Sequence, residues 1–571
     1  MAYLFRTTAL GAFARLVTGN KVIGFPTEKH KYCTGENSSF AENKEEKEEL
    51  WIPVTWVSDE DIENPHNWST TRKVAVAFLI CILWIINIRP ERRVMEEFGV
   101  SEAVASLGLA LYVLGYGIGP LLFSPLSEIP HIGRNPVYII TFAIFIALSA
   151  IAAICKSFAG FLVVRFLQGF FGSPCLATGA ASLSDMFSVV YAPYTLAAWS
   201  GAMYCGPALG PLLSGFSVSV KGWRWSMWEI VWLAGFVFVL LVLFLPETSA
   251  PTLLFYKAKR LRQETGSDRF VTVDSLRSKG VSRSQLVKLA LIKPFEITLK
   301  DPAIAFANFY TSLTYGIYYS FFEVIPIVYP TEYGFNISET SVVFVCVLIA
   351  CIIGATWYCS WYRVFVQRRF ERLGTFDVQE TFLRPGLVGV LGIPIGMFLF
   401  GWAARASVPW PVPTLGVVIF CGCSFVVGLG IFLHLPLSYP EYAASLFAAN
   451  DALRSSFAAG AVLFGRPLYL NLGVGKGCTL LGGLSIPLVV GFWYLFMYGD
   501  KLRKKSKFTS YINTTAHPIE ELFAARGSYT GTRGLISIRS SVPRPVRYMT
   551  TADEAILELG TQQYGASMLA D

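Results

Sequence analysis

Apolar runs of roughly bilayer-crossing length recur along the chain, separated by polar links. A hydrocarbon core of about 30 Å takes roughly 20 apolar residues in a helix. By that ruler the first half holds Val74–Ile88, Ala103–Ser127, Val137–Cys155, Phe158–Ser184, Tyr194–Ser217 and Trp228–Pro246. The second half holds Ala303–Tyr329, Thr340–Tyr362, Pro385–Ala404, Val412–Tyr439, Tyr442–Gly465 and Gly477–Tyr498. The pattern predicts twelve helical spans in two sets of six. Asp451 and Arg454 interrupt the eleventh, three residues apart, a spacing at which they can pair with each other.

The first run breaks the pattern. It stops at Ile88 and gives way to Arg-Pro-Glu-Arg-Arg, Arg89–Arg93. As a helix it would reach only ~22 Å, short of the core. If it fails to cross, the N-terminus lies on the opposite side from the one the other spans require.

Composition supports the membrane reading. Of 571 residues, 53% are hydrophobic and only 15% charged, against about 25% charged in a typical soluble domain. Mean hydropathy is +0.50. The net charge of +8 does not point to nucleic acid, because the basic residues gather in a few links. Most of the 11 cysteines lie inside apolar runs, where a thiol behaves as a small hydrophobe. No zinc-ligand spacing, nucleotide-binding loop or nucleophile elbow occurs, so the expectation is a protein that is not an enzyme and needs no cofactor.

Charge also predicts orientation. The link Glu247–Asp301 carries 11 basic and 6 acidic residues. Further basic groups follow the eighth span (Arg363, Arg368, Arg369, Arg372, Arg384) and the twelfth (Lys501, Arg503, Lys504, Lys505). All fall on one side, which marks it as cytoplasmic. The expected organisation is a cytoplasmic tail (1–73), a six-helix bundle (74–246), a cytoplasmic link (247–302), a second six-helix bundle (303–498) and a cytoplasmic tail (499–571). Both termini are cytoplasmic if the first span crosses.

Three motifs carry chemistry. In "SPLSEIPHIGRNPVY" a carboxylate at a helix end, Glu128, precedes a tight turn at Gly133 and Arg134. Such a pair can close across a gate and bias which face is open. In "VVRFLQGFFGSP", Arg165 lies inside a span, where a charge is costly and faces a partner or water unless it snorkels to a headgroup. In "GPALGPLLSG", Gly206, Pro207, Gly210, Pro211 and Gly215 give the fifth span a flat, kinkable face for close packing.

These strings, with "NPHNWS", "GWRWSMWEI", "LPETSAPTLL" and "SYPEYAASLFAANDALRSSFAAGAVLFG", resemble the major facilitator superfamily. The likeness is to its fungal twelve-span drug:proton antiporters of the multidrug and polyamine exporter branch. The resemblance covers about Asn64 to Phe508. It implies an all-α membrane protein with the major facilitator fold, two six-helix bundles and a truncated first helix. It also implies proton-driven export of amphipathic small molecules from the plasma membrane, by a monomer in lipid, with the proton gradient in place of a cofactor. The Arg-x-x-Gln-Gly motif, matched at Arg165, Gln168 and Gly169, is linked in the family to proton coupling. The alternative is a chain that keeps the family outline but does not transport, because its first span is truncated.

The seventh span, "NFYTSLTYGIYYSFFEVIPIVYP", offers binding groups. Tyr315, Tyr319 and Glu323 follow at i, i+4 on one helix face. Rings beside a carboxylate suit a cationic amphiphile. Glu323 is also a candidate for coupling, alongside Arg165. The competing reading puts these tyrosines in an interfacial belt. Asn336-Ile337-Ser338, on the predicted outer face, is a glycosylation triplet with Asn336 as acceptor.

Overall fold

The computed structural model describes residues 7–18, 52–56, 61–83, 95, 97–272, 292, 295–373, 379–438 and 443–505. It is almost wholly helical. Among the described residues the strand pairing is the two-residue parallel contact of β1 (Ile52–Pro53) with β2 (Phe270–Val271).

A short helix α1 (Ala9–Thr18) precedes the spans. The first-half spans are α2 (Thr70–Ile82), α3 (Leu107–Glu128), α4 (Arg134–Ile154), α5 (Phe158–Gly172) continued by α6 (Ala177–Met186), α7 (Ala192–Lys221) and α8 (Trp223–Phe244). The link helix α9 (Ala250–Thr265) follows. The second half holds α10 (Pro302–Tyr333), α11 (Ile337–Val343) leading into α12 (Val345–Tyr362), α13 (Arg384–Ala403), α14 (Pro411–Ser438), α15 (Ala443–Leu472) and α16 (Val474–Lys505).

Eight of these spans are long and apolar enough to cross a membrane by length and composition. Helices α7, α10 and α15, at 30, 32 and 30 residues, are long enough but less apolar, and are not among the eight. The reason is position. Each meets the other half of the molecule: α15 lies on α3, α7 lies on α11, α12 and α14, and the Tyr318 hydroxyl of α10 donates to the Tyr204 carbonyl of α7 at 2.7 Å. Small and polar side chains serve that seam better than lipid-facing leucine.

Close approach at the helix contacts depends on glycine. A Cβ on Gly169 would strike the Tyr112 carbonyl, and one on Gly115 the Phe166 carbonyl, so α3 and α5 touch backbone to backbone. Across the seam, a Cβ on Gly117 would overlap Ser455 of α15.

Of the first span, Thr70–Ile82 is described as helix. The residues that hold Arg89–Arg93 lie outside the described ones. Near the start of the span, the Lys73 ammonium sits over the Phe187 ring, 5.6 Å from the centroid, at the end where α6 finishes. Beyond it, Glu97 meets Arg224 at 2.5 Å, and Arg224 also donates to the carbonyls of Ala153 and Cys155 at the far end of α4. Lys73 and Glu97 thus meet opposite ends of the neighbouring helices.

At the starting end, the N-terminal segment and the central link form a small polar layer. Lys257 of α9, 1% exposed, bonds Asp61 at 2.9 Å, and Arg260 bonds Glu63 at 3.0 Å. Val54, Ala258, Leu261 and Phe270 bury a small apolar cluster beside them. Thr8, just before α1, bridges to Pro246, which leaves Phe13 and Val17 facing outward.

Candidate functional site

Arg134 is the hub of the end that carries the central link. Its Nε lies 2.7 Å from Asp185 Oδ2 at the finish of α6. The sequence offered Glu128 as the partner of Arg134; the ion pair in the structure is with Asp185. Glu128 ends α3 on an exposed position, whereas Asp185 is held against the Gly133 turn and takes the guanidinium instead. Glu128 remains within electrostatic reach of Arg134. Gly133 has φ +80°, a conformation glycine adopts without strain, and any side chain there would strike Glu247. Glu247 then caps α4: its carboxylate accepts from the backbone N–H groups of Arg134, Asn135, Thr248 and Ser249. Burial pushes the Glu247 carboxyl above its ordinary range, against the pull of the N–H groups of Ser249, Asn135 and Arg134.

Arg165 does not snorkel. It is 4% exposed, donates to Gln168 Oε1 at 3.0 Å, and lies over the Tyr112 and Phe161 rings at 5.2 and 5.8 Å. Gln168 passes the contact on to Ser149 of α4 at 2.8 Å. Tyr112 also lines a small cavity between α3, α4 and the α5–α6 junction, with Tyr116, Tyr138, Phe142 and Leu83 of the first helix on its wall.

Gly206, Pro207, Gly210 and Gly215 are buried in α7, and Pro211 is half-buried. At Gly215 the opposing helix is α11: Ser338 donates to the Gly215 carbonyl at 3.3 Å, and a Cβ would overlap Ser341. At the other end of the same seam Tyr194 donates to Gln367 at 2.6 Å, and Tyr362 donates to the Val190 carbonyl at 2.9 Å. The halves thus touch at both ends of α7.

Tyr315, Tyr319 and Glu323 are 4%, 6% and 2% exposed, which removes them from an interfacial belt. The Tyr315 and Tyr319 rings are 5.0 Å apart. Glu323 faces Gly465 of α15, and Ser320, one turn before it, bonds the Tyr469 hydroxyl at 2.9 Å. Tyr315 also carries the Arg454 guanidinium over its ring at 4.9 Å. Arg454 pairs with Asp451 at 2.7 Å, as the i, i+3 spacing allows. Asn336 is the N-cap of α11: its Oδ1 accepts from the Glu339 N–H at 2.8 Å in a reciprocal capping box.

Two helical halves meeting along a glycine-lined seam, with buried arginines in α5 and α15, are features to compare with known proteins. Residues 74–464 match the family model of the Major Facilitator Superfamily. The chain belongs to that superfamily. Its relatives place it among fungal drug-efflux transporters. It is 42% identical over 467 residues to an MFS-type transporter of Aspergillus violaceofuscus, covering 80% of this chain and 86% of that one. It is 36% identical to the cycloheximide resistance protein of Candida maltosa, over 83% of this chain and 91% of that one. It is equally 36% identical to fluconazole resistance protein 1 of Saccharomyces cerevisiae, over 80% and 85%. The solved structure of the proton:xylose symporter XylE shares the fold, with a TM-score of 0.53 at 13% identity, over 75% of this chain and 97% of that one.

Sequence reasoning missed Asp185 and the capping role of Glu247. Glu247 stands in the quoted "LPETSAPTLL", but nothing in its spacing points to a turn more than a hundred residues earlier. Asp185 has no local signal at all.

Proposed function

We propose that this multi-pass membrane protein exports amphipathic small molecules in exchange for protons. The reading covers drugs, toxins, secondary metabolites or polyamines, moved across the plasma membrane by a monomer in lipid with both termini cytoplasmic. The observation that carries it is the glycine-proline face of α7 pressed onto α11 at Gly215 and Ser338, the contact of the antiporter motif. The resistance names of the relatives support the same class and favour export over a non-transporting chain. So does a first segment whose flanking residues reach both ends of the bundle.

In this reading Arg165 and Glu323 serve proton coupling, while Tyr315, Tyr319 and Glu323 line the substrate path. Gly133 and Arg134 form the cytoplasmic gate with Asp185 as the partner and Glu128 at its rim. Gly206, Pro207, Gly210, Pro211 and Gly215 seal the seam that must open and close. Rocking of one half against the other exposes the path to alternate sides. Asn336 is the candidate glycosylation acceptor on the outer face. The test is efflux of cationic dyes from a transporter-deficient yeast, with Arg165→Ala as control. Lower dye accumulation that the control abolishes supports the reading; equal accumulation with and without the protein rejects it.

A further inference from the structure

We propose that Asp451 takes up and releases a proton during transport, and that Arg454 is its internal counter-ion when it is charged. The proposal deepens the proton-coupled export reading and rests on it.

Both side chains are sealed. Arg454 Nη2 is 2.7 Å from Asp451 Oδ1, with the two side chains 2% and 3% exposed. Asp451 Oδ2 and Arg454 Nε are buried and make no hydrogen bond among the described residues. A charged carboxylate oxygen in that position has lost water and gained nothing for it.

The pair sits on the seam rather than inside one bundle. Met203 of α7 offers its sulfur to Arg454 Nη1 at 2.7 Å. Tyr315 of α10 and Phe432 of α14 present their rings to the guanidinium at 4.9 and 5.7 Å. Gly117 of α3 abuts the Asp451 carbonyl and Ser455. The titratable groups facing the pair are Tyr116 of α3, Cys175 of the α5–α6 junction, Tyr204 of α7 and Tyr315 of α10. These are phenols and a thiol, uncharged at neutral pH, so Arg454 is the charge that balances Asp451.

A seam residue is the part of the fold whose surroundings change most when the halves separate. Opening gives water access to Asp451 Oδ2. Hydronium from the acidic side passes its proton to Oδ2, forming an O–H bond and leaving water. After the halves reopen on the other side, the O–H bond breaks and the proton returns to water there. No other bond changes.

The test uses the full chain in liposomes with an acidic lumen and rhodamine 6G as the transported probe. The expected result is dye accumulation by the wild type, a loss of about tenfold or more in Asp451→Asn, and dye-for-dye exchange without a gradient retained in that variant. Asp451→Glu should restore accumulation with a displaced pH midpoint. Gradient-driven accumulation by Asp451→Asn near the wild-type rate would overturn the assignment of Asp451 alone. If Asp451→Asn does not fold, an Asp451→Glu midpoint identical to wild type overturns it as well. A wild type that exchanges dye but ignores the gradient overturns the coupled-export reading, and this proposal with it.

Discussion

Arg134 Nε and Asp185 Oδ2 lie 2.7 Å apart, joining the turn between α3 and α4 to the end of α6. The side chains are 10% and 19% exposed, so the pair is largely desolvated. Losing one partner of such a pair strands the other and costs about 3–5 kcal/mol. Asp185→Ala should therefore lower the unfolding temperature, whereas Glu128→Ala, at an exposed position, should change it little. Thermal unfolding in detergent decides, and equal effects would remove Asp185 from the gate.

Glu247 accepts four backbone N–H groups, two from the first turn of α4 and two from its own link. Glu247→Ala leaves those donors buried and should cost about 2–4 kcal/mol. Glu247→Gln keeps one acceptor oxygen and should recover part of it. Hydrogen exchange at Arg134 and Asn135 reads the effect directly.

Gly215→Leu tests the seam. The added side chain has no room beside Ser341. Overpacking of this kind typically costs about 1–3 kcal/mol. The larger expected effect is on export, because in the proposed cycle the strain falls on a contact that forms and breaks each time. A Gly215→Leu protein with unchanged dye efflux would show that this contact is passive.

His66 gives the N-terminal segment a pH dependence. Burial first, and the Lys73 ammonium second, hold its imidazole below the ordinary value. Lys73 is fixed there by donating to the His66 carbonyl at 2.7 Å. The folded-state value lies below the unfolded one, about 6.5. The segment is therefore stable above that pH and loses stability as pH falls through it toward the folded value. Limited proteolysis around Asp61–Trp68 should speed up at pH 5 relative to pH 7.5, and His66→Asn should flatten the difference.

The sequence by itself determined the class of protein, the order of the spans and the position of the central link. Spans longer than a bilayer core, and charge kept to one set of links, follow from transfer free energies that act residue by residue. It also marked Arg165, the glycines of α7, and Asp451 with Arg454, because a charge or a bare backbone inside an apolar run stands out locally. Only the tertiary structure decided which partners those groups meet. Arg134 pairs with Asp185, Glu247 caps a helix more than a hundred residues before it, and Tyr315 holds Arg454 over its ring on the seam. Ion pairs and caps depend on side chains a few ångströms apart in space, and helix packing brings them together from places the linear order does not connect.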